Sequence, residues 1–336
     1  MENIEYTLFK YARIVDHYIY EKLTGTPEEL YKAALHLIKA GGKRLRPTIA
    51  LLTAKMLGGI EAESRAVPLA ASIEISHNFT LVHDDIMDKD EYRRGVPTVH
   101  KLWGESWAIL AGDLLHAYAY RFIVFSTEHG MSKGEAHEAM KVLTAAGIKV
   151  SRGQAYDIMF ENRWDVTPVD YLDMVYHKTG AMMEASAKLG ALAARASNEV
   201  VELMGQFGNL LGVAFQVRDD YLGVFGDPKK TGKPIYNDIR RGKKTLLVLL
   251  TMSRASERER EFLMRVLDPS AQKSEGEVVK AAELIRFYGA DVEAMKIASA
   301  YAERAKEILK EIRDVVDPAA RDVLMLMADY SVAREK

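Results

Sequence analysis

Apolar side chains recur at three- and four-residue spacing along almost the whole chain, while the strict alternation of a half-buried strand is nearly absent. That regularity excludes sheet architectures and leaves helices packed on helices. Residues 4 to 23 show it first, with Ile4, Leu8, Tyr11, Val15, Tyr18, Ile19 and Leu23 forming one stripe. Thr26-Pro27-Glu28-Glu29 reads as a capping box with proline at the first helical position, so the next helix starts there and stops near Gly41-Gly42. A short helix over 47–57 is closed by Gly58-Gly59, and a long one runs from 61 to about 90. Further helices are predicted over 104–128, 132–161, 168–195, 198–224, 243–265, 275–287, 290–313 and 317–333. Thr167-Pro168-Val169-Asp170 is a second start signal of the Thr26-Pro27 type. Connections are short and no repeat or linker composition is visible, which predicts one all-helical domain over 1–336. The exception is Gly226 to Lys244, an irregular stretch with two prolines, three glycines and five lysines. Compact domains keep such loops for function or motion.

Residues 72 to 94 carry the first chemistry. Asp84, Asp85 and Asp88 close an apolar helical run, and Asp84 and Asp88, four apart, share one face a turn apart. The carboxylates repel each other, and a bound cation relieves that repulsion. Oxygen ligands without cysteine or paired imidazole favour a hard ion such as magnesium, which keeps waters and bridges carboxylates to phosphates. Asp219-Asp220 repeats the arrangement at the end of the 198–224 helix. Two acidic helix ends in one bundle could hold several cations between them, and solvated helix ends are the alternative. A net charge of −2 gives the chain no general attraction to nucleic acid or acidic membranes, so basic character must be local. It is found at Gly41-Gly42-Lys43-Arg44-Leu45-Arg46-Pro47, at Arg93-Arg94-Gly95 and at Gly242-Lys243-Lys244-Thr245. Guanidinium forks and lysines match phosphate oxygens, although each turn alone could be a solvated loop. With an apolar bundle interior, the set describes a site for diphosphates on hydrocarbon tails.

No cysteine is present, which removes disulfides, thiolate metal sites and a cysteine nucleophile. Glu2, Glu5 and Lys10 lack the order of a signal peptide, and the longest strongly apolar run, Thr245 to Met252, is far short of the ~20 residues that span a bilayer. These features predict a cytoplasmic protein without a membrane span.

Gly42-Lys43-Arg44-Leu45-Arg46-Pro47, His77, the first Asp-rich motif with Arg93-Arg94-Gly95, Gly153-Gln154, Lys178-Thr179-Gly180, Phe215-Gln216 before Asp219-Asp220, Gly232-Lys233 and Gly242-Lys243 stand in one order. Their spacing resembles that of the trans-isoprenyl diphosphate synthases, over about residues 35 to 250. The resemblance implies an all-α prenyltransferase bundle with a central apolar cavity, more than one Mg2+ ion, and a homodimer. It further implies that Asp84, Asp88 and Asp219 bind metal on an allylic diphosphate, which Arg93, Lys178, Thr179, Gln216, Lys233 and Lys243 contact. Lys43, Arg46, His77 and Arg94 would hold isopentenyl diphosphate. One departure is clear: the family's second motif often ends in a third aspartate, and Gly223 stands there. Asp227 could substitute only if the helix ran past Gly223, Gly226 and Pro228. His83 is read as structural and the Met182-Met183 stretch as core.

The implied reaction joins dimethylallyl, geranyl or farnesyl diphosphate to isopentenyl diphosphate by ionisation, condensation and elimination. Lys178, Thr179 and Gln216 would hold the departing pyrophosphate, which takes the proton. Phe79 lies five residues before Asp84 and forms a cavity floor about 7.5 Å along the helix. One aromatic there, followed by Thr80, resembles geranylgeranyl diphosphate synthases and predicts a twenty-carbon product. A farnesyl or bifunctional farnesyl/geranylgeranyl synthase is the alternative. A terpene cyclase would not need Lys43, Arg46 and Arg94, and a non-catalytic subunit would have lost acidic pairs that are retained here.

Overall fold

The computed structural model describes residues 4–227 and 235–334. It is all-helical apart from one small hairpin. The chain divides into two compact units, one of Met1–Ala146, Met182–Gln206 and Leu309–Leu326, the other of Gly147–Ala181, Phe207–Ile308 and Met327–Lys336.

The first unit is built on α3 (Leu45–Met87), which packs against α1 (Ile4–Lys22) and α5 (Glu105–Phe125), with α2 (Glu28–Lys39) against α5. The α1 stripe buries Leu8, Tyr11, Val15, Ile19 and Leu23, as its periodicity predicts. α3 is two helical segments joined at a kink, where Gly59 takes φ 68° and ψ −160°, a conformation closed to other residues. The first segment's orphan carbonyl at Met56 accepts the amides of Val316 (2.8 Å) and Asp317 (3.1 Å). After the break α3 buries Leu69, Ile73 and Ile75, and Ser72 Oγ donates to Ala119 O of α5 at 2.7 Å. The hairpin pairs β1 (Tyr92–Arg93) with β2 (Val96–Pro97) and leads into α4 (Val99–Trp103). Arg94 (φ 53°) and Gly95 (φ 78°) form its turn, the left-handed pair that fits strand twist.

The second unit gathers the later part of α6 (Lys133–Glu161), α7 (Pro168–Val175), a π-helical turn (Tyr176–Gly180) and the later part of α9 (Asn198–Phe225). It continues through α10 (Asn237–Arg240), α11 (Leu246–Arg254), α12 (Glu257–Val266), α13 (Glu275–Phe287) and most of α14 (Ala290–Glu311). Val213, Val217, Ile239, Leu247, Leu263 and Ile285 share its core. Among the described residues the remaining elements are α8 (Ala181–Ala193), α15 (Pro318–Ala333) and a short 3-10 turn, Ser126–His129.

Several expectations are corrected. Thr26-Pro27 is not a capping box, because α2 begins at Glu28 with Pro27 as its N-cap and no side-chain cap bond, which moves Glu29 out of the reciprocal position. At Thr167 the box forms, Asp170 accepting from Thr167 N at 2.8 Å. The predicted 168–195 helix is interrupted by the π turn, and 243–265 is split at Ala255, where Glu259 accepts from Ser256 N at 3.0 Å and starts a new helix. That Ser-x-x-Glu signal was in the sequence. The Gly226–Lys244 stretch contains α10, and the hairpin had no strand signal. By length and composition two helical stretches, Glu105–His129 and Asn198–Phe225, could cross a membrane, although 44% and 61% of their apolar windows are buried within the protein.

Candidate active site

In the first unit the turn after α2 sets out the cations. Gly42 (φ 137°) has no room for a side chain, since a Cβ there would lie 2.7 Å from Arg44 Nη1 and 3.0 Å from Arg94 Cζ. Arg44 points inward. Its guanidinium donates to Asp16 Oδ1 (2.7 Å), Gly41 O (2.8 Å) and Ile38 O (2.6 Å), and lies 3.1 Å from Glu74 Oε1. Glu74, only 2% exposed, also accepts from Asn78 Nδ2 at 2.8 Å. Arg94 Nη1 donates to Leu37 O (2.7 Å), to Gly41 O and to Asn78 Oδ1 (3.3 Å). Asp16, Glu74 and Asn78 therefore fasten two of the local arginines to the end of α2.

Arg46 is left differently. Its Nη1 lies 3.2 Å from His77 Nε2, and its buried Nε has no hydrogen-bond partner among the described residues. Burial holds the Arg46 guanidinium down to about 10, with Glu74 opposing and Arg94 adding to the effect. Burial first, then Arg46, Arg94, Arg93 and Arg44, press His77 well below its ordinary value. A neutral His77 accepts from Arg46 through Nε2 and so orients it. Burial also lowers Arg94. Cations destabilised together in this way would gain by receiving an anion.

The acidic end of α3 lies in the same unit. Asp88 N bonds Asp84 O at 2.8 Å, so the helix continues to Asp88 and the two half-buried carboxylates leave adjacent turns. Asp85, 1% exposed, takes Arg93 Nε on Oδ1 at 2.5 Å, and its Oδ2 is orphaned. Burial pushes Asp85 up to about 6, against the pull of Arg93. The motif thus splits, with Asp85 holding Arg93 while Asp84 and Asp88 share a face. Among the described residues no three His, Asp or Glu side chains converge as a preformed metal site. The donor chemistry still fits a hard divalent ion that completes its shell with water and ligand oxygens.

In the second unit Lys178 and Thr179 sit on the π turn, a device that re-aims side chains at functional sites. Close glycine contacts support it: a Cβ on Gly153 would lie 2.6 Å from Lys178 Cα, and one on Gly212 would lie 2.7 Å from Gly180 Cα. Lys178 Nζ donates to Asp157 Oδ2 at 2.5 Å. Thr179 Oγ1 donates to Gln216 Oε1 (2.9 Å), Gln216 Nε2 donates to Asp220 Oδ1 (2.9 Å), and Tyr171 OH donates to Asp220 Oδ2. Burial, then repulsion from Asp238, pushes Asp220 up to about 7. Asp219 accepts from Arg334 Nη2 at 2.8 Å. Of the lysine pair after Gly242, Lys244 caps α6 through Phe160 O (2.8 Å) and Glu161 O (2.6 Å), whereas Lys243 is exposed. Lys233 lies outside the described residues. α9 ends at Phe225, so Asp227 is not on its helical face.

Sequence reading missed Asp157, Tyr171, Asn78 and Glu74. Asp157 stood three residues after Gln154, a helical spacing that could have flagged it, while Tyr171 carried no local signal. His83 stays structural, its Nε2 3.3 Å from Ile109 O.

Residues 27–285 match the polyprenyl synthetase family. The chain is 55% identical over 323 residues, 96% of its length and all of the relative's, to a geranylfarnesyl diphosphate synthase of Aeropyrum pernix. It is 43% identical over 307 residues, 91% of each chain, to a geranylgeranyl diphosphate synthase of Saccharolobus solfataricus. The crystal structure of a geranylgeranyl pyrophosphate synthetase from Pyrococcus horikoshii superposes with a TM-score of 0.90 at 37% identity, covering 99% of this chain and 98% of that one. An all-helical chain that matches that family over residues 27–285, and relatives of this kind over more than nine-tenths of its length, belongs to the polyprenyl synthetases, the prenyltransferases that condense isopentenyl and allylic diphosphates.

Proposed function

We propose that the protein makes geranylgeranyl diphosphate by Mg2+-dependent head-to-tail condensation of isopentenyl diphosphate with allylic diphosphates. The observation that carries the reading is the pairing, within one unit, of a charge-stressed Arg46–His77–Arg94 cluster with the Asp84 and Asp88 carboxylates. Asp84 and Asp88 would hold the metal, and the resemblance gives Asp219 the same role. Bound magnesium would stabilise charge on the leaving diphosphate. Lys43, Arg46 and Arg94 bind the diphosphate of isopentenyl diphosphate, with His77 orienting Arg46. The resemblance assigns the allylic diphosphate to Arg93, which Asp85 aims, and likewise to Lys178, Thr179, Gln216, Lys233 and Lys243. No side-chain nucleophile is required, since the allylic carbon–oxygen bond ionises and the isopentenyl double bond attacks the cation. The departing pyrophosphate then takes the proton.

Product length rests on Phe79. Its ring packs on His116 (centroids 4.6 Å apart) and on His83 (4.9 Å), and His116 packs on Tyr120 (5.0 Å), a layer of rings between α3 and α5. Such a layer supports a floor suited to twenty carbons. The second reading, a twenty-five-carbon product, is favoured by the geranylfarnesyl relative at 55% identity. Incubation with magnesium, labelled isopentenyl diphosphate and farnesyl diphosphate separates them by the chain length of the dephosphorylated product. A twenty-carbon alcohol that needs both substrates and metal supports the first reading, a twenty-five-carbon alcohol the second, and no extension of any allylic primer refutes the synthase. Phe79→Ala should lengthen the main product by at least one five-carbon unit, and an unchanged length would remove the floor.

The reading includes a cytoplasmic homodimer. Exposed Ile109, Leu110 and Val124 on α5 support a second copy as partner. Light scattering at the mass of one chain would overturn that part.

A further inference from the structure

Asp219 and Asp220 are neighbours on α9 and so leave the helix about 100° apart, into different surroundings. Asp219 is half-buried, with Arg334 Nη2 2.8 Å from its Oδ1. Asp220 is only 8% exposed, and both of its oxygens are engaged. Its Oδ1 accepts from Gln216 Nε2 at 2.9 Å and its Oδ2 from the hydroxyl of Tyr171, itself buried on α7. Magnesium keeps several of its waters, and a buried carboxylate gripped by two protein donors suits such an ion poorly.

What Asp220 does fix is the polarity of an amide. A carboxylate only accepts, so Gln216 must turn its NH2 group toward Asp220 and its Oε1 away. There Oε1 accepts from Thr179 Oγ1 at 2.9 Å, and Thr179 is buried on the π turn that Gly153 and Gly212 hold. One N–H of the amide is thereby used by Asp220, and the second is left for a ligand oxygen. The first acidic motif divides in the same way, its buried Asp85 gripping Arg93.

We propose that Asp220 and Tyr171 are positioning residues of the allylic subsite, which lock the Gln216 amide with its remaining N–H available to the diphosphate, and that Asp220 takes no part in binding metal. The proposal rests on the synthase reading above, which gives Thr179 and Gln216 to the allylic diphosphate. Without the lock the amide can turn over and present its carbonyl oxygen to an anion, which repels it. Asp220→Asn favours that reversal, because an asparagine that accepts from Tyr171 offers an N–H to Gln216 and draws Oε1 round.

The test is steady-state kinetics of the full chain with isopentenyl diphosphate and geranyl diphosphate, with magnesium titrated at saturating substrate. In Asp220→Asn, kcat should fall about 100-fold, the scale on which a displaced catalytic group acts, while KM for isopentenyl diphosphate and the magnesium giving half the rate stay within about 3-fold. Gln216→Met should lose a similar factor, and adding Asp220→Asn to it should cost at most a further ~3-fold, since the two residues act as one unit. Tyr171→Phe keeps the ring and should lower kcat about 10-fold with the magnesium requirement unchanged, which carries the test if melting curves show Asp220→Asn unfolded. An Asp220→Asn enzyme within about 3-fold of the wild type in kcat overturns the proposal. So does a rise of ~10-fold or more in its magnesium requirement, the mark of a lost metal contact, or a double variant in which the two losses multiply. A wild type that extends no allylic primer removes the synthase reading and this proposal with it, whereas an active wild type beside an unaffected variant removes this proposal alone.

Discussion

Asp84→Ala and Asp88→Ala should each lower the turnover of isopentenyl diphosphate condensation by about 1,000-fold. Ionisation of the allylic diphosphate places its developing charge on the leaving group, and a metal that neutralises it contributes several kcal/mol. About 4 kcal/mol corresponds to about three factors of ten in rate. Folding should be barely affected, because the two carboxylates share one helix face and removing either relieves repulsion. Steady-state rates beside melting curves check both halves. Activity within ten-fold of the wild type in both variants would sink the metal assignment. Asp85→Ala should differ in kind, since Asp85 acts through Arg93: its loss frees that guanidinium from its 2.5 Å bond and raises KM for the allylic substrate more than it lowers kcat.

The largest effect on stability is expected at Arg44. Arg44→Met should cost about 3–5 kcal/mol of unfolding free energy, because it strands Glu74 without its ion-pair partner in a wholly buried position. Asp16 and the carbonyls of Ile38 and Gly41 lose their donors too. Denaturant unfolding measures it, and a loss below about 1 kcal/mol would show that water enters and solvates the network. Arg46, two residues on, should behave oppositely. In the proposed reading its buried guanidinium serves a ligand, so its removal should weaken binding of isopentenyl diphosphate more than it weakens the fold.

Much of the architecture was legible because helical periodicity is local. The stripe of α1 and the break at Gly58-Gly59 follow from side-chain spacing and from glycine's backbone freedom. The two Thr-Pro starts show the limit. Thr167 caps its helix with Asp170 at the third position, whereas the same dipeptide at Thr26 falls one residue early and Pro27 becomes the cap. A one-residue offset cannot be read from composition. The π turn was hidden for another reason: Gly153 and Gly212 hold it from other helices, and no signal within 176–180 announces that. The same division runs through the site. Asp84, Asp88, Arg46, His77, Thr179 and Gln216 sit in dense local motifs, which is why the sequence singles them out as candidates. Their partners Asp16, Glu74, Asp157, Tyr171 and Asp238 are single residues made relevant only by tertiary contact.

The hairpin joins what the sequence listed as neighbours and chemistry needs apart. Arg93 reaches to Asp85 at the acidic end of α3, and Arg94 reaches to Leu37 O and Gly41 O at the cationic turn. One peptide unit, about 3.8 Å between Cα atoms, separates the two grips. A tilt of the ribbon therefore acts on both holds at once, and a residue inserted between them would let the two move independently.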